Sequence, residues 1–375
     1  MQRWSGVALP VSCRKLVVHT LSPNFRSSTE IRDVAIPTEV KPTEVIVRNE
    51  VVGINASDIN FTAGVYKPGV KPPFDAGFEA LGRIVAVGSQ VSSVALGDTV
   101  VSQAFGAFTE YQVVSQRNLR KVPDTREMWL PLEISATTAS IALERIAPLK
   151  GETALVTAAA GGTGQFAVQL LSKVYGCHVI GTCSTDDKAA YLKNLGCHRV
   201  VNYKREDLSE VLSTEYTRGV HVVYESVGGS FFDTAVHHLA LKGRLLVLGN
   251  IAGYQTGESF RPPPGAAAQT SAVGSSSSVS VSAAATRPPL RQPIGTTLLQ
   301  KSASVVGFFL PHFQKQIPDH WDKLRRLVED RVIVSGIDEP AAQRFRGITA
   351  IPDAVEYLHA GSNTGKVIVR LLPAL

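Results

Sequence analysis

Cysteine is scarce in this chain: four in 375 residues, at positions 13, 177, 183 and 197. None forms a CxxC pair, so a disulfide-stapled scaffold is excluded and a reducing compartment is expected. The pairs Cys177-His178 and Cys197-His198 stand where buried strands begin, and no spacing among them fits a closed zinc site. Blocks of like charge are also missing. The formal net charge is +6, but the bases are scattered, as at Arg117, Arg120 and Lys121 or at Lys323, Arg325 and Arg326. Without a basic stripe no nucleic-acid partner is expected, although a mildly positive field can still collect a small anion. Long apolar runs are few. Residues 153–172 are free of charge, yet their centre is Ala and Gly with Gln165 and Gln169, which suits a strand, a turn and a helix rather than a membrane span. Acidic residues are absent before Glu30, while Arg3, Arg14, Lys15 and Arg26 are basic, which leaves mitochondrial import open. No long apolar core follows, so secretion is not expected.

What is present is the composition of a globular protein, 44% hydrophobic and 19% charged, in a chain too long for one core. Two domains are expected. Residues 15–136 read as β-rich, with strands near 45–52, 81–87 and 99–103 punctuated by glycine, which predicts a small barrel. From Gly151 strands and helices alternate. Strands are predicted at 153–158, 178–183, 199–202, 220–225 and 244–249, with helices at 165–175, 186–195, 206–216 and 231–241. That rhythm implies right-handed crossovers and a doubly wound parallel sheet. The fold class is therefore α/β. Residues 257–297, rich in Pro, Ala, Ser and Gly, cannot bury enough surface to offset their ordering entropy and read as a disordered insert. Beyond it, helices are expected at 321–329 and 352–360, and a last strand at 366–371 that returns to the first domain. The resulting division is 1–14 as an N-terminal extension, 15–136 with 311–375 as the barrel domain, and 137–310 as the nucleotide-binding domain.

The strongest local signal is AAAGGTG at 158–164, which follows an apolar strand and opens a helix. Gly161, Gly162 and Gly164 permit a tight turn and close approach of a pyrophosphate, whose charge the helix N-terminus stabilises. The end of the second strand selects the dinucleotide. A site for NAD places an acid there. Here Cys183, Ser184 and Thr185 are neutral and Lys188 follows, which suits the 2′-phosphate of NADPH. Asp186 and Asp187 argue the other way, unless Ser184-x-x-Asp187 is a helix cap.

In order along the chain, NASDIN (55–60), VTAAAGGTGQF (156–166), VIGTCSTDDK (179–188), NYK (202–204), YESVGG (224–229), GYQT (253–256), GFFL (307–310) and NTGK (363–366) resemble the medium-chain dehydrogenase/reductase superfamily, in its prostaglandin-reductase branch. The resemblance covers nearly the whole chain except the extreme N-terminus and the insert. It implies a GroES-like barrel joined to a Rossmann domain. It implies that Thr163 belongs to the phosphate turn and that Ser184, Lys188 and Tyr203 hold the 2′-phosphate and ribose. Ser226 and Leu248 would line the cleft, Tyr254, Phe308, Phe309 and Leu310 would surround the nicotinamide, and Asn363 would contact the cofactor. The GFFL segment also reads as an ordinary buried strand. Zinc enzymes of the superfamily carry a Cys in CxxD and a His in GHE. Asn55 and Phe78 stand at those places, so no zinc is expected.

Without a metal, alcohol oxidation lacks its usual Lewis acid. Reduction of a carbon–carbon double bond conjugated to a ketone suits the residues better. Hydride goes to the β-carbon, and donors such as the Tyr254 phenol meet the charge on the carbonyl oxygen. The resemblance implies lipid enones of the 15-oxo-prostaglandin type, with Asn55 and Tyr66 against the substrate and Lys67 or Lys71 near its polar end. Quinone reduction shares this architecture and is the alternative. A silent NADPH-binding scaffold is a third reading. A homodimer is left open. The resemblance implies a cytoplasmic or peroxisomal setting, though Pro373-Ala374-Leu375 departs from a Ser-Lys-Leu address.

Overall fold

The computed structural model describes residues 2, 3, 9–254 and 293–372. At its centre are six parallel strands: β1 Thr153–Val156, β2 His178–Cys183, β3 Arg199–Asn202, β4 Val220–Glu225, β5 Leu239–Val247 and β6 Ser304–Gly307. Their order across the sheet is β3-β2-β1-β4-β5-β6. Ala154 and Val156 enter one apolar cluster and Leu155 another, because both faces of a parallel sheet are covered. The chain turns opposite ways on leaving β1 and β4, so a crevice opens at the carboxyl ends of these two strands. This is a Rossmann sheet.

The remaining strands are antiparallel. Glu44–Gly53 pairs with Glu79–Val87, which pairs with Thr99–Gln103, and Tyr111–Ser115 lies against the other edge of Glu44–Gly53. Ser12–Val18 pairs with Thr29–Ala35 and with Phe74–Asp75 in a small second sheet. Together these form the GroES-like β domain. The terminal strand Ile368–Arg370 returns to it, with Ile368 opposite Gly53 and Arg370 opposite Val51. Just before that strand, Gly365 N–H donates to the Ala160 carbonyl (2.8 Å), so the C-terminal segment is seated on the glycine turn.

Most predicted elements fall within a few residues of where they are expected, and four differences bear on the architecture. The helix predicted to run to 241 is Gly229–His237, and Leu239 already pairs with Val220. Apolar content alone cannot separate the end of a buried helix from the start of a buried strand. The helix after the glycine turn widens at Leu170–Val174 into a π turn, closed by Tyr175 N–H to the Leu170 carbonyl. The first small-sheet strand begins at Ser12 and Gln2–Arg3 pairs with Ala86 and Val87, so part of 1–14 belongs to the sheets. After the insert, helix Ile294–Lys301 starts inside the span read as disordered. It is amphipathic, with Ile294 and Leu298 packed against the sheet core. Residues 257–292 and the terminal Pro373-Ala374-Leu375 lie outside the described residues.

Candidate active site

One cavity of about 740 Å³ lies between the two domains. Every residue that the sequence nominated, other than Lys67 and Lys71, lines it. Gly161, Gly162, Thr163 and Gly164 come from the turn after β1, Ser184 and Lys188 from the end of β2, and Tyr203 from the end of β3. Ser226 and Leu248 follow β4 and β5, and Phe308, Phe309 and Leu310 follow β6. Tyr254, Asn363, Asn55 and Tyr66 complete the set.

The glycine turn is built for close packing. A Cβ on Gly164 would sit 2.4 Å from the Ala158 carbonyl oxygen, and one on Gly162 would sit 3.3 Å from Lys366 Cδ. Strand, turn and helix can therefore meet this closely only if residue 164 lacks a side chain, and the small residues beside it suit close approach of a phosphate to backbone N–H groups. At the end of β2 the helix cap is Thr185, not Ser184: the Thr185 hydroxyl accepts from Lys188 N–H (3.3 Å). That frees the Ser184 hydroxyl for the cavity. Asp186 is drawn away, accepting from Asn202 Nδ2 (3.0 Å) and pairing with Arg205 (2.7 Å), and neither Asp186 nor Asp187 lines the cavity. Lys188 is buried at the same wall. Its ammonium donates to the Gly361 carbonyl (2.6 Å) and has no carboxylate within ion-pair distance among the described residues. Burial holds its pKa below that of an ordinary lysine. A hydroxyl, a buried cation and no acid at this point fit an adenosine 2′-phosphate.

At the zinc-ligand positions the chemistry is wrong for a metal. The Asn55 amide is engaged at both ends, accepting from Lys366 Nζ (2.7 Å) and donating to Glu79 Oε1 (3.0 Å). The Lys366 ammonium also pairs with Glu79 and reaches Ser135 Oγ (3.5 Å). Phe78 packs its ring against Phe61 and Phe105. An amide, a phenyl ring and a cation do not fit zinc. Glu79 itself fits only because residue 53 is glycine, since a Cβ there would lie 2.4 Å from Glu79 Oε1. Lys366 stands within the NTGK motif, but nothing in its local sequence says that its partner lies at position 79. It was not nominated.

Two further carboxyls sit near this pair. Burial pushes both Asp58 and Glu133 up to about 8. Folding therefore retains protons that the unfolded chain loses near the ordinary carboxylate range, and the stability linked to them falls as pH rises from about 4.5 towards 8. Glu133→Gln removes one such group. Its urea midpoint is expected to match the parent near pH 5 and to exceed it at pH 8.5; parallel midpoints across that range would contradict the assignment.

The two nominated phenols share the acceptor end of the cavity. Asn60 Nδ2 donates to Tyr66 Oη (3.1 Å) and Asn250 N–H donates to Tyr254 Oη (3.1 Å). Burial foremost, then Tyr254, keeps the Tyr66 phenol above its ordinary range, so it remains a donor. Each phenol thus accepts one N–H bond and has its own proton to give. The Tyr66 ring meets Phe309 edge-on at 4.9 Å, and Phe308 stacks on Phe313 at 4.8 Å. The sequence placed Lys67 or Lys71 near the substrate's polar end; neither lines the cavity.

Two family models match the chain: the alcohol dehydrogenase GroES-like domain over residues 41–124 and the zinc-binding dehydrogenase model over 162–287. Prostaglandin reductase-3 of Bos taurus is 44% identical over 99% of this chain and 93% of its own length. The chain belongs to the medium-chain dehydrogenase/reductase superfamily. Within that superfamily it is also similar to a probable quinone oxidoreductase of Leishmania amazonensis, 41% identical over 96% of this chain and 99% of the relative. A mycobacterial protein solved with NADPH superposes with a TM-score of 0.73 at 25% identity, covering 96% of this chain and all of that one. As a medium-chain dehydrogenase/reductase the chain lies in the zinc-less branch, as Asn55, Phe78 and Lys366 require. No described helix is long and apolar enough to cross a membrane.

Proposed function

We propose that the chain is an NADPH-dependent reductase of electron-poor double bonds, and that lipid enones of the 15-oxo-prostaglandin type are its substrates. The observation that carries the reading is a single cavity with a phosphate turn and buried Lys188 at one end and two phenols, each accepting an N–H bond and free to donate, at the other. The relative named prostaglandin reductase-3 and the NADPH-bound neighbour support it.

Gly161, Gly162, Thr163 and Gly164 would hold the pyrophosphate, and Ser184, Lys188 and Tyr203 the 2′-phosphate and ribose. Ser226, Leu248 and Asn363 would line the way to the nicotinamide, with Phe308, Phe309 and Leu310 beside it. Bound there, the dihydronicotinamide supplies a hydride to the β-carbon. A Tyr66 or Tyr254 O–H would then donate a hydrogen bond to the carbonyl oxygen as negative charge develops on it, and a proton from solvent would complete the reduction at the α-carbon. Tyr254 accepts from a backbone N–H and Tyr66 from an amide, which polarises the pair towards donation. The Phe308–Phe313 and Phe309–Tyr66 contacts exclude water and fix the acceptor's plane.

The same geometry can stabilise the oxygen of a quinone undergoing reduction, and the Leishmania relative's name favours that second reading. NADPH oxidation followed at 340 nm with matched enones and quinones decides between them. Turnover with 15-oxo-prostaglandin E2 supports the first reading and quinone turnover far above enone turnover supports the second. Tight NADPH binding without oxidation by any acceptor would leave a scaffold. Lys188→Ala is expected to weaken NADPH about tenfold to a hundredfold, the loss of a charge-assisted hydrogen bond, with NADH little changed. Equal losses by calorimetry would contradict the 2′-phosphate role.

A further inference from the structure

We propose that the reacting half of the cavity selects uncharged acceptors, and that an acidic substrate is taken only when its chain carries the carboxylate out past Phe105. The inference rests on reading that half as the acceptor site. Its wall is aromatic. Phe105 stacks on Phe61 (5.0 Å between centroids, 6° between planes) and meets Phe78 edge-on at 5.7 Å. Phe105 is 65% exposed and marks the mouth, where the exposed side chains of Asn118 and Gln314 are polar but neutral.

No unpaired charge lines this half among the described residues. No Asp or Glu lines the cavity, and its lysines are Lys188 and Lys366. Lys188 lies at the nucleotide end. Lys366 has three acceptors, Glu79, Asn55 and Ser135, for its three protons. His359 also lines the wall, and burial holds its imidazole neutral, with a pKa down to about 4. A carboxylate drawn inside would lose its water and find no cation. A carboxylate left at the mouth would keep its water and cost little.

The test uses enone pairs that differ only as methyl ester and free acid. In one pair the terminal group lies about three methylenes from the β-carbon, in the other about ten, so that the desolvation of the short acid is the variable. With NADPH, the short ester should exceed the short acid in kcat/KM by at least about tenfold, and the ratio should approach one for the long pair. Calorimetric binding of the corresponding saturated ketones to the NADP⁺-loaded protein should show the same order. A short acid that reacts or binds as well as its ester overturns the proposal. If no enone is turned over, the reading as a reductase falls, and the ketone titrations still decide the charge preference.

Discussion

Tyr66→Phe/Tyr254→Phe is expected to lower kcat for an enone by about 10²–10³, the range seen when an oxyanion donor is removed, with the NADPH dissociation constant nearly unchanged. The single variants should lose far less, about tenfold. The asymmetry follows from counting protons. Each phenol accepts one N–H bond, Tyr66 from Asn60 Nδ2 and Tyr254 from Asn250 N, and each has its own proton to give. Deleting either hydroxyl leaves the other with a proton to give. Only the double variant removes both of these phenolic donors. The two losses therefore combine non-additively, which is the signature of groups acting as a unit. Multiplicative losses would assign the phenols to independent tasks. Unchanged turnover in the double variant would reduce both to packing.

The nucleotide half of this site was legible in the sequence because its signals are local. A turn of small residues between an apolar strand and a helix has few other uses, and the residues after β2 are read within five positions of one another. Even there one detail was missed: Ser184 and Thr185 both suit a cap, and only the extended backbone at Thr185 shows which hydroxyl the helix takes. The acceptor half was legible only in part. Tyr66 and Tyr254 were each nominated, yet the cavity brings together residues nearly 190 positions apart, and no periodicity reports it. Lys366, Glu79 and Asn55 are harder still. They come from three strands or loops that meet only when the terminal segment returns to the first domain, and each taken alone reads as an ordinary polar residue. The departures Asn55 and Phe78 showed what the site lacks. They did not show that an ammonium stands there instead.

That ammonium carries the second large expectation. Lys366→Met should destabilise the protein by about 3–5 kcal/mol, the cost of leaving a buried charge unpaired, seen as a lower urea midpoint at pH 7. Glu79 is fully buried, its Oε2 already has no hydrogen-bond partner, and Gly53 leaves no side chain that could replace the lost one. Asn55 would also lose the donor to its Oδ1, although its Nδ2 still reaches Glu79. Adding Glu79→Gln removes the orphaned charge and should restore most of the loss, because a neutral amide costs far less to bury than a carboxylate without a cation. The cycle separates pairing from packing. A single variant costing under about 1 kcal/mol would place the pair with exposed ion pairs, and a double variant as unstable as the sum would mean that the lysine stem, not its charge, matters. The stem lies 3.3 Å from where a Cβ on Gly162 would be, and Gly365 next to it binds the Ala160 carbonyl. The charge that replaces a metal in the first domain is thus mounted on the same segment that seats the phosphate turn of the second. Loosening it should be felt at both ends of the cavity.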